Sequence, residues 1–444
     1  MTTAPLTADQ PPAGNTPATP GDSALARASR LLLLGLLSCA PLAFGSVEPW
    51  AWGAMTAIVA VMLILWGVDT IRRRILMLAW SWSFVPLAVL LGYTTGQLEF
   101  HLSVDPASTA EGVLKLTMCL VLFFLTMQFY GFAPDAVWNR LGMYVLLYSS
   151  LLGLLAVLQF FSAPGMMYWV FPSPNTSFGP YINRDHFAGL FEMLIPLAAA
   201  WYISTGRRSS WSLLWACGLL MAIAALLLTG SRGGFLALLS EVVVLLAVIL
   251  ARTPHRRRAN LVWGVAGLLV CVVALLLVIA PDELPARLAS ILRFRDAAVT
   301  GYRAQVAHDT VRIFGDHVVA GTGLGTFEAV YPQYQSFVSD KTWPYAHNDY
   351  VQFLAETGVI GGLLLVVTLW LFFREALWVR LRSPLLGMED WIQLGAFVGC
   401  CGLLVHSFVD FNLHIPANAA WFAYCAALAW CRQRDPSQPE TVTL

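Results

Sequence analysis

Charge is what this sequence has least of. Only 12% of its 444 residues are Asp, Glu, Lys or Arg, against about 25% in a typical soluble domain. That scarcity, with 58% hydrophobic residues and a mean hydropathy of +0.68, excludes a soluble globular protein. The formal net charge is zero. The chain therefore lacks the basic excess that nucleic acid or another acidic partner calls for. It has eight cysteines, at 39, 119, 217, 271, 400, 401, 425 and 431. All lie in or at the ends of apolar segments, with no CxxC and no His/Cys cluster at ligand spacing. They read as small core residues, not as a disulfide framework or a metal site. Also missing are a GxGxxG on a strand, a Walker loop, a nucleophilic Ser or Cys motif and a DxD. No cofactor is expected.

What the sequence does have is apolar runs near 20 residues, each long enough to cross roughly 30 Å of hydrocarbon as a helix. They fall at 31–47, 51–69, 75–93, 113–131, 141–161, 187–205, 211–229, 233–251, 261–280, 349–373, 391–409 and 416–431. The expected fold is thus all-α and polytopic, with about twelve spans. Of the 26 basic residues, 17 lie inside if the N-terminus is inside, among them Arg72, Arg73, Arg74, Arg207, Arg208, Arg256, Arg257 and Arg258. The positive-inside rule then places both termini in the cytoplasm. Trp50, Trp52, Trp211, Trp391 and Trp430 near segment ends fit an interfacial belt. Residues 1–24 are rich in Pro, Thr and Ala, with no basic residue before Arg27. They lack the charged start of a signal peptide and read as a disordered tail. The expected organisation is this tail, helices 1–9 over 25–280, an outer loop over 281–346, helices 10–12 over 347–431 and a tail over 432–444.

Three outer loops are long. One spans about 94–112, with His101 and Asp105, and another about 162–186. The third, 281–346, is the longest. Leu288, Ile291 and Leu292, then Val306, Val311 and Ile313, have helical spacing and predict helices on the membrane surface. Gly321, Gly323 and Gly325 mark a turn-rich stretch.

That loop ends at Tyr345-Ala346-His347-Asn348-Asp349-Tyr350, where an apolar run begins. Asn348 or Asp349 can cap the next helix. His347 then sits at a membrane surface beside the positive end of a helix, a setting that suits a neutral imidazole acting as a base. The alternative is a capping segment with an incidental His. In Thr229-Gly230-Ser231-Arg232-Gly233-Gly234, Gly230 can end one helix and Ser231 can cap the next. Arg232 at a helix start makes an anion site, or else a snorkelling Arg on a tight hairpin. In Tyr181-Ile182-Asn183-Arg184-Asp185-His186, Arg184 either faces the same anion or pairs with Asp185. Arg303 lies on a loop helix over Tyr302–Phe314, facing the anion or only solvent. His406, Asp410 and His414 follow an i, i+4, i+8 spacing; they read as a polar helix end supporting the cavity, with a metal trio as the alternative. Glu241 is an intramembrane carboxylate, functional or simply protonated and hydrogen-bonded.

Thr229 to Gly234, Arg303 leading to Gly321-Thr322-Gly323-Leu324-Gly325-Thr326-Phe327, and Ala346 to Tyr350 through Glu356-Thr357-Gly358-Val359-Ile360-Gly361 together resemble the O-antigen ligase / O-antigen polymerase superfamily. The resemblance runs from about Asn183 to Asn418. It implies a GT-C-like helical bundle in the bacterial inner membrane, with its active site facing the periplasm. It implies metal-independent, inverting transfer of a glycan from undecaprenyl diphosphate to a hydroxyl of lipid A-core, a growing polysaccharide or a protein. The partners implied are that donor, the acceptor and membrane lipids. By position, His347 matches the proposed catalytic histidine, Arg232 and Arg303 match arginines expected to hold the diphosphate, and Arg184 matches an arginine of some members. Ser231, Asn348, Asp349 and Asp410 are read as supporting residues. A different-class alternative is a lipid-linked oligosaccharide flippase, whose basic residues should line a path across the bilayer; here the candidates crowd one face.

Overall fold

The computed structural model describes residues 23–76, 78–173, 177–252, 263, 267, 302–339, 342–382, 387–431 and 442–443. The expectations for residues 1–22, for the span 261–280 apart from 263 and 267, for the loop residues 281–301 and for the tail from 432 to 441 fall outside these.

Helix starts follow their caps. Ser23 opens α1 (Ala24–Leu42), its hydroxyl accepting from the Ala26 N–H at 2.8 Å. Pro49 sits in the first turn of α2 (Pro49–Arg73), where its missing N–H costs nothing. After α3 (Phe84–Glu99), Asp105 caps α4 (Pro106–Tyr130) by accepting from the Ala107 N–H at 3.1 Å. Then come α5 (Asp135–Ser162), α6 (Arg184–Ser204), α7 (Ser212–Leu228) and α8 (Arg232–Arg252). The long loop before α10 contributes α9 (Arg303–Asp316). α10 (Asp349–Arg382), α11 (Met388–His406) and α12 (Pro416–Trp430) complete the bundle. Strand pairing among the described residues is confined to two two-residue ladders and an isolated bridge between Phe178 and Tyr181.

Among the described residues, eight helices are long and apolar enough to cross a membrane: α1, α2, α4, α5, α6, α8, α10 and α11. The apolar α7 has 17 residues, and α3 and α12 have 16 and 15. The chain is an all-α, polytopic membrane protein.

Several expected boundaries move, and α3 and α4 show a cause. The run 75–93 is not helical before Phe84, because the Gln128 side chain accepts from the Ala79 N–H at 2.9 Å and donates to its carbonyl at 3.0 Å, holding it extended. The helix instead continues through Glu99, into the stretch expected to be loop. α4 starts at Pro106 rather than 113, because the Asp105 cap overrides the hydropathy profile.

The centre of the bundle is α6 against α11, each with most of its length buried. Glycines permit the close approach: a Cβ on Gly395 would lie 2.6 Å from the Pro196 carbonyl oxygen, and one on Gly399 would lie 2.9 Å from the Met193 Cα. α5 and α8 flank this pair, and α12 lies between α11 and α4.

The long loop before α10 is anchored through its glycines. Val306 and Ile313 of α9 are buried with Phe327, Val330 and Tyr331. Gly321, Gly323 and Gly325 all have positive φ. The Thr322 and Gly323 N–H groups donate to the carbonyls of Ala355 and Glu356 at 3.0 and 2.9 Å. Gly358 breaks α10 at φ 63°, ψ −166°, a conformation reserved for glycine. Its absent Cβ leaves room for the Val319 carbonyl oxygen, which would stand 2.3 Å away. The two glycine-bearing motifs, far apart in the chain, are thus two sides of one contact.

Candidate active site

The start of α10 is stitched to the turn after α11. The Asn348 Oδ1 accepts from the N–H groups of Tyr350 and Val351 at 3.1 and 3.0 Å, so Asn348 rather than Asp349 is the cap. Its Nδ2 donates to the Phe408 carbonyl at 2.9 Å, and the Asp349 N–H donates to the Ser407 carbonyl at 2.9 Å. His347 enters this junction with φ 53°, in the left-handed region.

The junction sets the His347 Nδ1 3.1 Å from the Asp410 Oδ1. The His347 side chain is 13% exposed and that of Asp410 1%. An ionised carboxylate only accepts, so Nδ1 carries the proton of the neutral ring and Nε2 keeps its lone pair. Burial would raise the Asp410 carboxyl; the His347 hydrogen bond and the charges of His186 and Arg303 outweigh it and hold Asp410 well below the usual carboxylate range. The His186 Nε2 stands 4.0 Å from Oδ1, and the His406 Nε2 stands 4.0 Å from Oδ2.

The arginines collect on the same side. Asn183 caps α6, its Oδ1 accepting from the Asp185 N–H at 2.9 Å, which places Arg184 and Asp185 in the first turn. Asp185 pairs with Arg303, Nη2 to Oδ2 at 3.0 Å, settling the alternative in which Arg184 was its partner. Gly230 closes the α7–α8 hairpin at φ 62°, and the Ser231 Oγ accepts from the Gly234 N–H at 3.1 Å. Gly233 and Gly234 let α8 wedge between α11 and α6: their Cβ atoms would meet the His406 ring at 2.3 Å and the Ala188 Cβ at 2.7 Å. Arg232 thereby lies within the fields of Arg303, Asp185 and Arg184. Arg303 in turn acts on Asp410. The arginine cluster and the His347–Asp410 pair are therefore one site.

Two further networks support it. Behind Asp410, the His406 Nδ1 lies 2.7 Å from the Glu192 Oε1, both side chains at or below 1% exposure. Glu241, also buried, fills the space above Gly402, where a Cβ would lie 2.0 Å from its Oε1. To one side, the Asp349 carboxylate accepts from the Leu413 N–H at 3.2 Å and meets the His414 Nδ1 at 2.7 Å. Burial alone would lower the His414 pKa; the Asp349 hydrogen bond and charge, with Glu356, hold it above the ordinary value. The His414 Nε2 reaches the Gln352 Nε2 at 3.0 Å, and Gln352 donates to Glu356 at 3.0 Å. Glu356 accepts from the Gly325 and Phe327 N–H groups at 2.8 and 3.3 Å. His406, Asp410 and His414 thus serve three different partners rather than one centre. Asp105, as a helix cap, has its own task. Asp185, His186 and Glu192 were not singled out from the sequence; the first two lie inside the Tyr181–His186 motif, and Glu192 gave no signal beyond being a carboxylate in an apolar run.

Residues 217–366, from within α7 to within α10, match the O-antigen ligase family. This match covers about a third of the chain and supports the resemblance to the O-antigen ligase superfamily. Arg232, Arg303 and His347 fall inside the matched segment, while Arg184 and Asp410 lie outside it and are joined to it by the fold. No curated protein matches the chain. The matched family implies a glycosyltransferase-like enzyme that works with lipid-linked glycans and glycan acceptors.

Proposed function

We propose that this protein transfers a glycan from an undecaprenyl-diphosphate carrier to an acceptor hydroxyl, with inversion and without a metal ion, at the periplasmic face of the inner membrane. The observation that carries this reading is the His347–Asp410 pair beside the Arg184, Arg232 and Arg303 cluster. The acceptor oxygen attacks the anomeric carbon from the side opposite the diphosphate. As the new C–O bond forms, the bond to the diphosphate oxygen breaks and its electron pair stays on the lipid diphosphate. The acceptor proton passes to the His347 Nε2, and Asp410 stabilises the imidazolium. Arginine forks stabilise the charge developing on the leaving group. Arg303 spends one nitrogen on Asp185, but a guanidinium has further donors and this side chain is 40% exposed.

The test is product analysis with purified protein in vesicles, given a lipid-diphosphate glycan donor in excess EDTA. Release of undecaprenyl diphosphate together with a gain of mass on an acceptor is the expected result. The acceptor that gains mass (lipid A-core, polysaccharide or protein) names the branch of the superfamily. Movement of intact donor across the bilayer with no release would make the protein a flippase, and a need for Mg²⁺ or Mn²⁺ would remove the metal-free mechanism.

The full architecture in this proposal is a GT-C-like bundle of twelve spans, counting α3, α7, α12 and the run 261–280. α6 has 21 residues, about 30 Å at 1.5 Å per residue, and separates Arg184 at the site from Arg207 and Arg208 beyond its other end. The positive-inside rule assigns that other end to the cytoplasm. Val338 in the outer loop is 95% exposed. Val338→Cys should therefore react with a membrane-impermeant thiol reagent on intact spheroplasts; labelling only after lysis would reverse the orientation.

A further inference from the structure

A chain of aromatic rings links the arginine cluster to His347, and the mechanism above gives it no role. Tyr302 immediately precedes Arg303. Its ring stacks on Phe337 at 4.1 Å between centroids, with the planes 5° apart. Trp343 stands edge-on to both, at 6.4 Å from Tyr302 and 5.8 Å from Phe337. Trp343 also meets the His347 ring at 5.8 Å, at an interplanar angle of 76°. Tyr302 remains 49% exposed, an unusual state for an aromatic ring held in a defined stack.

The order of groups along this wall decides what fits it. In the proposed reaction the anomeric carbon bears the diphosphate oxygen on one side and receives the acceptor oxygen on the other. The first sugar ring must therefore lie between the diphosphate holder and the base. Tyr302, the chain neighbour of Arg303, marks one end of the wall and His347 the other. A pyranose ring has an apolar face of C–H groups carrying slight positive charge, and an aromatic face is electron-rich.

We infer that Tyr302, Phe337 and Trp343 form the subsite for the first sugar of the lipid-linked donor. The inference rests on the glycosyl-transfer reading above. The wall recognises a hexose by its ring face, while the arginines recognise the diphosphate whether or not a sugar is attached. Tyr302 is then a specificity residue that does not touch His347, which separates its effect from that of the base.

The experiment compares two ligands on the full-length protein in vesicles. One is the glycosylated donor, read by its KM. The other is undecaprenyl diphosphate without sugar, read as a competitive inhibitor. Tyr302→Leu should raise the donor KM by about tenfold, the scale of one lost ring contact, and leave the inhibition constant of bare undecaprenyl diphosphate unchanged. Tyr302→Phe, which keeps the ring, should bind both as wild type does. An unchanged donor KM in Tyr302→Leu overturns the subsite. An equal rise in both constants overturns it too, because Tyr302 would then only be supporting Arg303. If bare undecaprenyl diphosphate does not inhibit wild type at all, the diphosphate-donor reading itself fails, and the subsite with it.

Discussion

His347→Gln will lower turnover by about 10²–10⁴-fold, the usual worth of general-base help, while donor affinity stays near wild type. Glutamine keeps length and polarity but accepts no proton at neutral pH. It retains a donor for Asp410, so the junction between α10 and the α11 turn survives. Donor affinity is preserved because the diphosphate is held by Arg184, Arg232 and Arg303. The measurement is single-turnover transfer, with donor binding followed separately. A wild-type rate from His347→Gln would remove the histidine from the chemistry and turn attention to Asp410 and Asp349.

Arg303→Ala is expected to cost on the order of 3 kcal/mol of transition-state stabilisation, or about 10²-fold in rate. Arg232→Ala should lose a similar factor. The two are not equivalent in the resting site. Arg303 is the partner of Asp185, which lies in the same field as Asp410. Its removal leaves two neighbouring carboxylates with less compensation, a cost that comes from the orphaned charge as much as from the lost contact. Arg303→Lys restores the charge and should recover part of the rate, not all, because an ammonium lacks the bidentate fork. Abundance in the membrane fraction separates lost chemistry from lost insertion. Normal transfer by the Arg232→Ala, Arg303→Ala double variant would reduce both residues to charges that merely reach for water.

The helices were legible because an apolar run of sufficient length has few other fates in a membrane. Their starts were less so. Asp105 and Gln128 act on particular backbone groups, and an average over twenty residues does not register one such contact. His347, Asn348 and Arg232 could be placed because the caps and glycines that position them are their neighbours in the chain. Their partners could not: 63 residues separate His347 from Asp410, 118 separate Arg303 from Asp185, and 214 separate His406 from Glu192. At such separations only tertiary packing brings the groups together: α6 against α11 for the last pair, and the start of α10 against the turn after α11 for the first. The regular spacing of His406, Asp410 and His414 marks the polar helix end it was read as, and not a shared face. α11 ends at His406, so the residues after it do not share a helical face.

The left-handed turn at residue 347 narrows the choice of base before any chemistry begins. Among side chains that can take up a proton near neutrality, few tolerate positive φ; histidine and aspartate are those commonly found there. Aspartate would set one carboxylate against another, because Asp410 already occupies the adjoining position. Imidazole alone meets both conditions. The handedness of a single peptide unit and the sign of one neighbouring charge thus act as a filter on mutation: lysine, glutamate or tyrosine at 347 would first have to rebuild the turn.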